Sequence, residues 1–217
     1  MTRLILALAF FTVLGNLNAQ GLEISVYTGP QLAWITSDEE WVSANGSLIN
    51  FNSGIEFDIF FMPNYALTLA VEINNQGGKF FYSDTTRFQQ TPSDLLIPGG
   101  SHLKHNLQYI GAPIGLKLKT AELGYTTFYF HGGFNPLFNL KAVTSSEQLS
   151  LMRDNIKPDI NTFSLNFFVS AGIEYRLAGN TALMAGLKWS SGFSDVTKND
   201  MANNNLKSVG LHLGILF

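Results

Sequence analysis

The sequence predicts an all-β protein, a single eight-stranded antiparallel up-and-down transmembrane β-barrel, and three observations support this fold class. Apolar residues recur at every second position in eight segments, which is the period of a β-strand. The connections between these segments alternate between tight turns and long polar loops, a pattern typical of barrels in outer membranes. The last segment ends on Phe217 itself, whereas the terminus of a soluble domain is usually polar and loosely held.

The N-terminal segment 1–19 is predicted to be an export signal that lies outside the barrel. Arg3 supplies a positive charge, an apolar run covers 4–14, and Ala19 is a small residue at the expected cleavage point. The run is too short for a membrane-spanning helix. We therefore expect residues 20–217 to form the barrel domain, exported to the cell outer membrane of a Gram-negative bacterium.

Composition excludes several classes of function. The chain contains no cysteine, so neither a disulfide nor a thiolate metal site is available. Its 13 Lys and Arg residues against 16 Asp and Glu residues give a net charge of −3, which argues against nucleic acid as a partner. The 18 Phe and 20 Gly residues, with only 13% of charged residues, fit a β-rich protein.

Each predicted strand alternates apolar with small or polar residues. The first contains a Gly29-Pro30 irregularity, and the second and third flank a tight turn at Pro63-Asn64. Most reach the roughly 9–11 residues that a tilted strand requires to cross a bilayer. The strands are expected at 22–35, 53–62, 66–74, 106–120, 126–140, 162–177, 181–191 and 209–217. The long polar loops are expected at 36–52, 78–104, 141–160 and 193–205.

The two faces of the strands differ in a way that predicts which face meets lipid. One face is almost wholly Leu, Ile, Val and Phe, and the other is rich in glycine and small polar residues with a few charges of both signs. Backbone groups in lipid must be paired within the protein, so the sheet is expected to close with its last strand against its first. We expect the charged residues to pair inside a lumen that eight strands leave just wide enough for side chains. This predicted lumen network comprises Glu56, Asp58, Glu72, Lys117, Glu174, Arg176 and Lys188.

Four sequence blocks resemble, in order, blocks of the PorT-like outer-membrane β-barrel family. They are LQYIGAPIGLKLK (107–119), FYFHGGFNPLF (128–138), SAGIEYRLAGN (170–180) and LKWSSGFSDV (187–196). The last block departs from the family pattern only conservatively, at GFSDV. The resemblance implies an eight-stranded outer-membrane barrel without a shared catalytic motif. The family's namesake takes part in a protein-secretion system of gliding bacteria and their relatives.

The expected function is therefore non-enzymatic: a structural or accessory outer-membrane protein, with a role as a subunit of a secretion or envelope complex implied by the resemblance. A small transport pore is the alternative, and a membrane enzyme with residues in its long loops is a third. The terminal Phe217 resembles the assembly signal that barrel-insertion machinery reads. Membrane lipid, that machinery and other envelope proteins are the expected partners, and no cofactor is expected.

Two further features are candidates for specific sites. His102 and His105 are weak candidates for a metal or enzymatic site, because a spacing of three suits one helical turn but no third ligand is evident. A polar loop that enters a strand is the alternative interpretation. The 78–104 connection is the most apolar of the long loops and is the predicted partner-binding loop. Its apolar residues of interest are Phe80, Phe81, Tyr82, Leu95 and Leu96.

Overall fold

The fold was determined from a computed structural model, which describes residues 21–37, 42–88, 95–146, 148–197 and 204–217. The predicted export signal 1–19 lies outside these residues. In the described part of the chain, no helix is long and apolar enough to cross a membrane. The strands are β1 (Gly21–Ser37), β2 (Val42–Ala44), β3 (Leu48–Met62), β4 (Tyr65–Tyr82), β5 (Thr86–Phe88), β6 (Leu95–Ile97), β7 (Ser101–Gly111), β8 (Ile114–Lys119), β9 (Thr126–Ser146), β10 (Leu151–Asn155), β11 (Phe163–Ala178), β12 (Thr181–Gly192) and β13 (Asn204–Leu216), and a 3-10 turn covers Lys157–Asp159.

The long strands form a closed antiparallel ring with eight positions. The order around the ring is β1, β3, β4, β7 with β8, β9, β11, β12 and β13, and β13 pairs again with β1. β7 and β8 occupy one position of the ring, because both pair with β4 and β9 and only Ala112 and Pro113 separate them. The predicted eight-stranded barrel is confirmed, and the predicted strand 106–120 is interrupted at Pro113, which has no N–H to donate to a neighbour.

The ring closes where the last strand meets the first. The register between β13 and β1 runs from Ser25 opposite Leu216 to Ser37 opposite Asn204. The Phe217 N–H donates to the Ile24 carbonyl oxygen at 2.9 Å, and the Ile24 N–H donates to the Phe217 carbonyl oxygen at 3.3 Å. The terminal residue is therefore a paired part of the sheet, as the alternating pattern predicts. Its side chain is 57% exposed on the outer surface.

Short and long connections separate to opposite ends of the barrel. β3 and β4 are joined through Pro63-Asn64, and β11 and β12 through Gly179-Asn180. At the other end, β2 adds to the edge of β4, β5 pairs with β6, and β10 pairs with β9. We refer to this end, which carries the long connections, as the loop end.

Several strands extend further toward the loop end than their predicted bounds. β3 begins at Leu48, β4 runs to Tyr82 and β9 runs to Ser146. The predicted 78–104 loop is thus shorter, because its first and last residues belong to β4 and β7. The prediction ended these strands too early because the polarity of the two faces changes along them.

This change of polarity is clearest in β4. Ile73 points outward and is exposed, whereas its neighbour Glu72 is buried inside the barrel. Further along the same strand Lys79 is exposed on the outside and Phe80 is buried inside. The barrel is therefore apolar outside and polar inside over one part of its height, and polar outside and apolar inside at the loop end. A boundary between lipid and water at the height where the polarity changes accounts for both arrangements: apolar side chains face lipid on one side of it, and polar side chains face water on the other.

An apolar cluster fills the barrel at the loop end, and we call it the apolar cap. Residues from the long connections complete it: Ile97 from β6, Ile156 and Ile160 from either side of the 3-10 turn, and Val196 from the connection before β13. Its buried members are Ile35, Phe80, Tyr82, Ile97, Leu103, Leu107, Tyr109, Leu137, Ala142, Ile156, Ile160, Val196 and Leu206.

The closing seam between β1 and β13 generates a test of the fold. A Cβ atom added at Gly29 would lie 1.8 Å from the Leu211 carbonyl oxygen, so Gly29→Ala must push the two strands apart. We expect it to lower the free energy of unfolding by about 3 kcal/mol, measured by urea titration in detergent. Gly21→Ala is the matched control, because nothing lies within 4 Å of a Cβ at that position of the same strand. Equal stability of the two variants would contradict this seam geometry.

Candidate functional site in the barrel lumen

The polar interior of the barrel is the candidate site, because it brings charged residues from many strands together away from solvent. Alternation along each strand turns these side chains inward. Three lysines, Lys117, Lys119 and Lys188, are each surrounded by carboxylate or aromatic groups. The site consists of three layers, which we describe from the short-turn end toward the loop end.

The first layer joins β1, β8 and β11 through Lys119. Its ammonium group lies 2.7 Å from Glu174 Oε2 and also pairs with Glu23. The same ammonium lies over the Phe60 ring, 5.1 Å from its centroid. Lys119 and Glu23 are not among the residues predicted for the network. Lys119 lies two residues after Lys117, so the period of a strand places both on the same face.

The second layer is built around Lys117, which is fully buried and pairs with both Glu56 and Asp58 of β3. The Thr68 hydroxyl donates to Asp58 Oδ1 at 2.7 Å. The Lys117 ammonium also lies 5.5 Å from the centroid of the Tyr129 ring. A buried cation therefore has two carboxylates and an aromatic face, which is the compensation that its loss of water requires.

The third layer centres on Glu72, whose side chain accepts four hydrogen bonds. The Tyr27 hydroxyl donates to Oε2 at 2.6 Å, and the Lys188 ammonium donates to the same oxygen at 3.2 Å. The amides of Asn74 and Asn135 donate to Oε1 at 2.7 and 2.6 Å. β4 and β12 lie on opposite sides of the ring, so the contact between Glu72 and Lys188 spans the lumen.

Two buried histidines lie between these layers and were not predicted as site residues. His131 Nδ1 is 3.7 Å from Glu56 Oε2, and its ring packs edge-on against Phe168 with 4.8 Å between centroids. His212 stacks on Tyr27 at 4.2 Å. Alternation along the strand places both histidines on the lumen face, since the preceding residues Phe130 and Leu211 lie on the outer face. The strand period in the sequence was therefore sufficient to assign both histidines to the lumen.

Amide side chains continue the polar interior toward the apolar cap. The Gln31 amide donates to Asn74 Oδ1 at 2.9 Å, and Gln76 donates to the same oxygen at 3.0 Å. Asn52 donates to Gln31 Oε1 at 3.4 Å. Side chains from β1, β3 and β4 therefore cross-link above the ionic layers, directly below the apolar cap.

The predicted network requires a correction at the short-turn end of the barrel. Arg176 does not point into the enclosed lumen: its side chain is 55% exposed and pairs with Glu122 at 2.7 Å. It lies next to the turn between β11 and β12, where the register shifts and the barrel ends. Among the other predicted charges, Lys188 pairs with Glu72, whereas Glu174 pairs with Lys119.

The prediction of a weak metal or enzymatic site at His102 and His105 also requires correction. His102 and His105 both lie in β7, where residues three apart point to opposite faces. His102 is exposed and lies 3.0 Å from the Asn45 side-chain amide, whereas His105 is buried against Phe80. Within the described ranges, no group of three His, Cys, Asp or Glu residues could hold a metal ion.

The predicted partner-binding loop is partly a strand. Phe80 and Tyr82 are buried in the apolar cap and are therefore unavailable to a partner, which corrects their assignment. Phe81 faces outward against His102, with 4.9 Å between their ring centroids. Leu96 is 58% exposed in the β5–β6 hairpin, and the side chain of Leu95 lies outside the described part. Contact of Phe81 and Leu96 with a partner remains a prediction.

Comparison with known proteins agrees with the closed barrel and its apolar exterior. The family model described as "Outer membrane protein beta-barrel domain" matches residues 18–166. The chain therefore belongs to the outer membrane protein β-barrel domain family, and it is a multi-pass β-barrel of the cell outer membrane. No curated protein matches the chain.

Three solved structures are similar to the chain at low sequence identity. Neisserial surface protein A is 15% identical, with 91% of this chain and 96% of that chain covered and a TM-score of 0.51. Ail, the attachment invasion locus protein of Yersinia pestis, is 15% identical over 90% of this chain and 98% of that chain, with a TM-score of 0.43. OprG from Pseudomonas aeruginosa is 12% identical over 91% and 96%, also with a TM-score of 0.43.

The hydrogen bonds to Glu72 generate a prediction about stability. Glu72→Ala leaves the buried Lys188 ammonium, the Tyr27 hydroxyl and two amides without their acceptor. We expect a loss of about 3–5 kcal/mol in the free energy of unfolding, measured by urea titration in detergent. Glu122→Ala is the matched control and is expected to cost less than about 1 kcal/mol, because its partner Arg176 is exposed at the rim. A similar loss in both variants would refute the role of Glu72 as the centre of the third layer.

Proposed function

We propose that the protein is a closed, non-enzymatic outer-membrane barrel that serves as a structural or accessory component of the cell envelope. The observation that carries this proposal is the contact between Glu72 and Lys188, which joins opposite walls of the ring at 3.2 Å. A route for solute along the barrel axis would have to pass this contact. The apolar cap presents a second obstacle at the loop end, because ions and polar solutes are poorly solvated there.

A transport pore is the second candidate, and the interior argues against it. A conducting lumen needs a continuous path of water, whereas buried side chains of three ionic layers and an amide layer bond to one another between strands that are not neighbours in the ring. Opening such a path would separate lysines from carboxylates that are almost fully buried. Breaking buried ion pairs is costly, so spontaneous opening is disfavoured.

An enzyme with residues in the long loops is the third candidate and has the least support. The two histidines that would carry the chemistry point to opposite faces of β7. A catalytic pair requires hydrogen-bonding reach between its members or to a shared substrate atom. We therefore assign no catalytic residue.

We further infer that the protein acts as a subunit of a protein-secretion or envelope complex. The support is the resemblance of four sequence blocks to the PorT-like family, whose namesake takes part in a secretion system. Because the lumen is filled, a partner would contact the ends or the outer wall of the barrel. The exposed apolar side chain of Leu96, in the β5–β6 hairpin at the loop end, is the surface where such contact would bury apolar area.

Conductance measurements test the closed lumen. We expect the purified protein in planar bilayers to show no steady single-channel openings, because Glu72 and Lys188 span the interior. A porin inserted in the same bilayers provides the positive control for detection. Steady openings of uniform size from folded protein would favour the transport pore instead.

Site-specific crosslinking tests the partner-binding hairpin. A photo-crosslinking amino acid at Leu96 is expected to capture a specific envelope protein in intact cells, because this side chain is 58% exposed at the loop end. The same amino acid at Met152, which is 90% exposed on a different strand, is the matched control. Leu96→Glu should abolish the crosslinked product without changing barrel assembly. Identical products from both positions, or from neither, would rule out the hairpin as the docking element.

A further inference from the structure

The outer wall of the barrel carries a basic groove directly above its apolar band. The groove has a volume of about 490 Å³, and Phe51, Asn75, Asn106, Gln108, Lys141 and Arg153 are among the residues that line it. None of the described lining residues is acidic. The chain as a whole has a net charge of −3, so this clustering of cations is not a consequence of a basic protein.

The strand register places the groove at the edge of the lipid-facing surface. Ile73, Ile110 and Phe138 are register partners on three adjacent strands, and all three are exposed on the outer wall. The next row toward the loop end consists of the register partners Asn75, Gln108 and Lys141. Two residues along a strand correspond to about 7 Å, so the polar row follows immediately after the apolar one.

A bulge in β9 brings an apolar and a cationic side chain together at this edge. The register with β7 shifts between Asn139 and Lys141, so Leu140 is the extra residue. A bulge turns two consecutive side chains to the same side of a strand. Leu140 and Lys141 are accordingly both exposed on the outer wall.

Two further cations lie beside Lys141. Arg153 of β10 is exposed and has a φ angle of 61°, a left-handed conformation that is unfavourable for a residue with a side chain. Its N–H donates to Ser145 Oγ at 3.2 Å, which holds it against β9. The Lys157 ammonium donates to the Leu140 carbonyl oxygen at 3.0 Å. Within the described ranges, neither Lys141 nor Arg153 forms an ion pair with a carboxylate.

We propose that this groove binds the phosphate-bearing head group of a lipid in the leaflet nearer the loop end. Lys141 and Arg153 supply the charge, since Arg binds phosphate through two parallel N–H groups and Lys through a point charge. The Gln108 amide donates to Asn75 Oδ1 at 3.1 Å, and the Asn75 amide donates to the Phe51 carbonyl oxygen at 2.8 Å. These bonds form a polar surface between the cations and β3. The exposed Phe51 and Leu140 contact the acyl chains of the same lipid.

Lipid retention by the full-length protein in neutral detergent tests this proposal. Native mass spectrometry would compare dioleoyl phosphatidic acid, dioleoylglycerol with the same acyl chains, and inorganic phosphate. We expect phosphatidic acid to be retained, dioleoylglycerol to be lost, and inorganic phosphate to compete only weakly. Equal retention of the two lipids would overturn the role of the phosphate, and competition by equimolar inorganic phosphate would make the groove a site for free anions.

Charge variants locate the binding to the groove. K141Q/R153Q should weaken the retention of phosphatidic acid by roughly 10- to 30-fold, the effect expected for two cations at a membrane surface. K141R/R153K keeps both charges and should stay close to wild type. Lys207→Gln is the control for position, because Lys207 lies in β13 on the other side of the ring. The mobility of unheated protein in SDS gels reports that each variant is folded. Wild-type retention by folded K141Q/R153Q would refute the proposal.

Discussion

The requirement that every backbone polar group be paired inside hydrocarbon determines this architecture. An open sheet would present an edge of unpaired N–H and carbonyl groups to lipid, at a cost of several kcal/mol for each group. The chain satisfies the requirement by joining β13 to β1 up to its last residue, where Phe217 and Ile24 exchange two hydrogen bonds. Once the ring closes at eight strands, the lumen is narrow, and the inward side chains must pack against one another.

The narrow lumen accounts for the pattern of charge. Lysines that enter it lose their water, and each is stable only beside carboxylates or aromatic rings. Lys117 lies between Glu56 and Asp58, and Lys188 reaches across the barrel to Glu72. The ion pair between Glu72 and Lys188, which compensates for the desolvation of both groups, also joins opposite walls of the lumen. The proposed structural or accessory role rests on this contact.

The medium that surrounds the barrel, lipid or water, determines which side chains face outward and therefore also which side chains fill the interior. Where lipid surrounds the barrel, apolar side chains face outward and polar side chains fill the lumen. Where water surrounds it, the same strand carries Lys79 outward and Phe80 inward. The apolar cap therefore resembles the core of a soluble protein placed on top of a membrane barrel. The groove with Lys141 and Arg153 lies at the transition between these two parts of the barrel, which is why we propose it as a site for an anionic head group.

The sequence by itself determined the strand period, the lipid-facing residues and most of the lumen charges, because alternation assigns each residue to a face without knowledge of its neighbours. Only the tertiary structure decided which charges meet. The pairing of Lys188 with Glu72 joins opposite walls, and it depends on strand stagger and barrel tilt that no single strand encodes. The placement of Arg176 at the rim and of His102 and His105 on opposite faces was decided in the same way, by where each strand ends and where β7 begins.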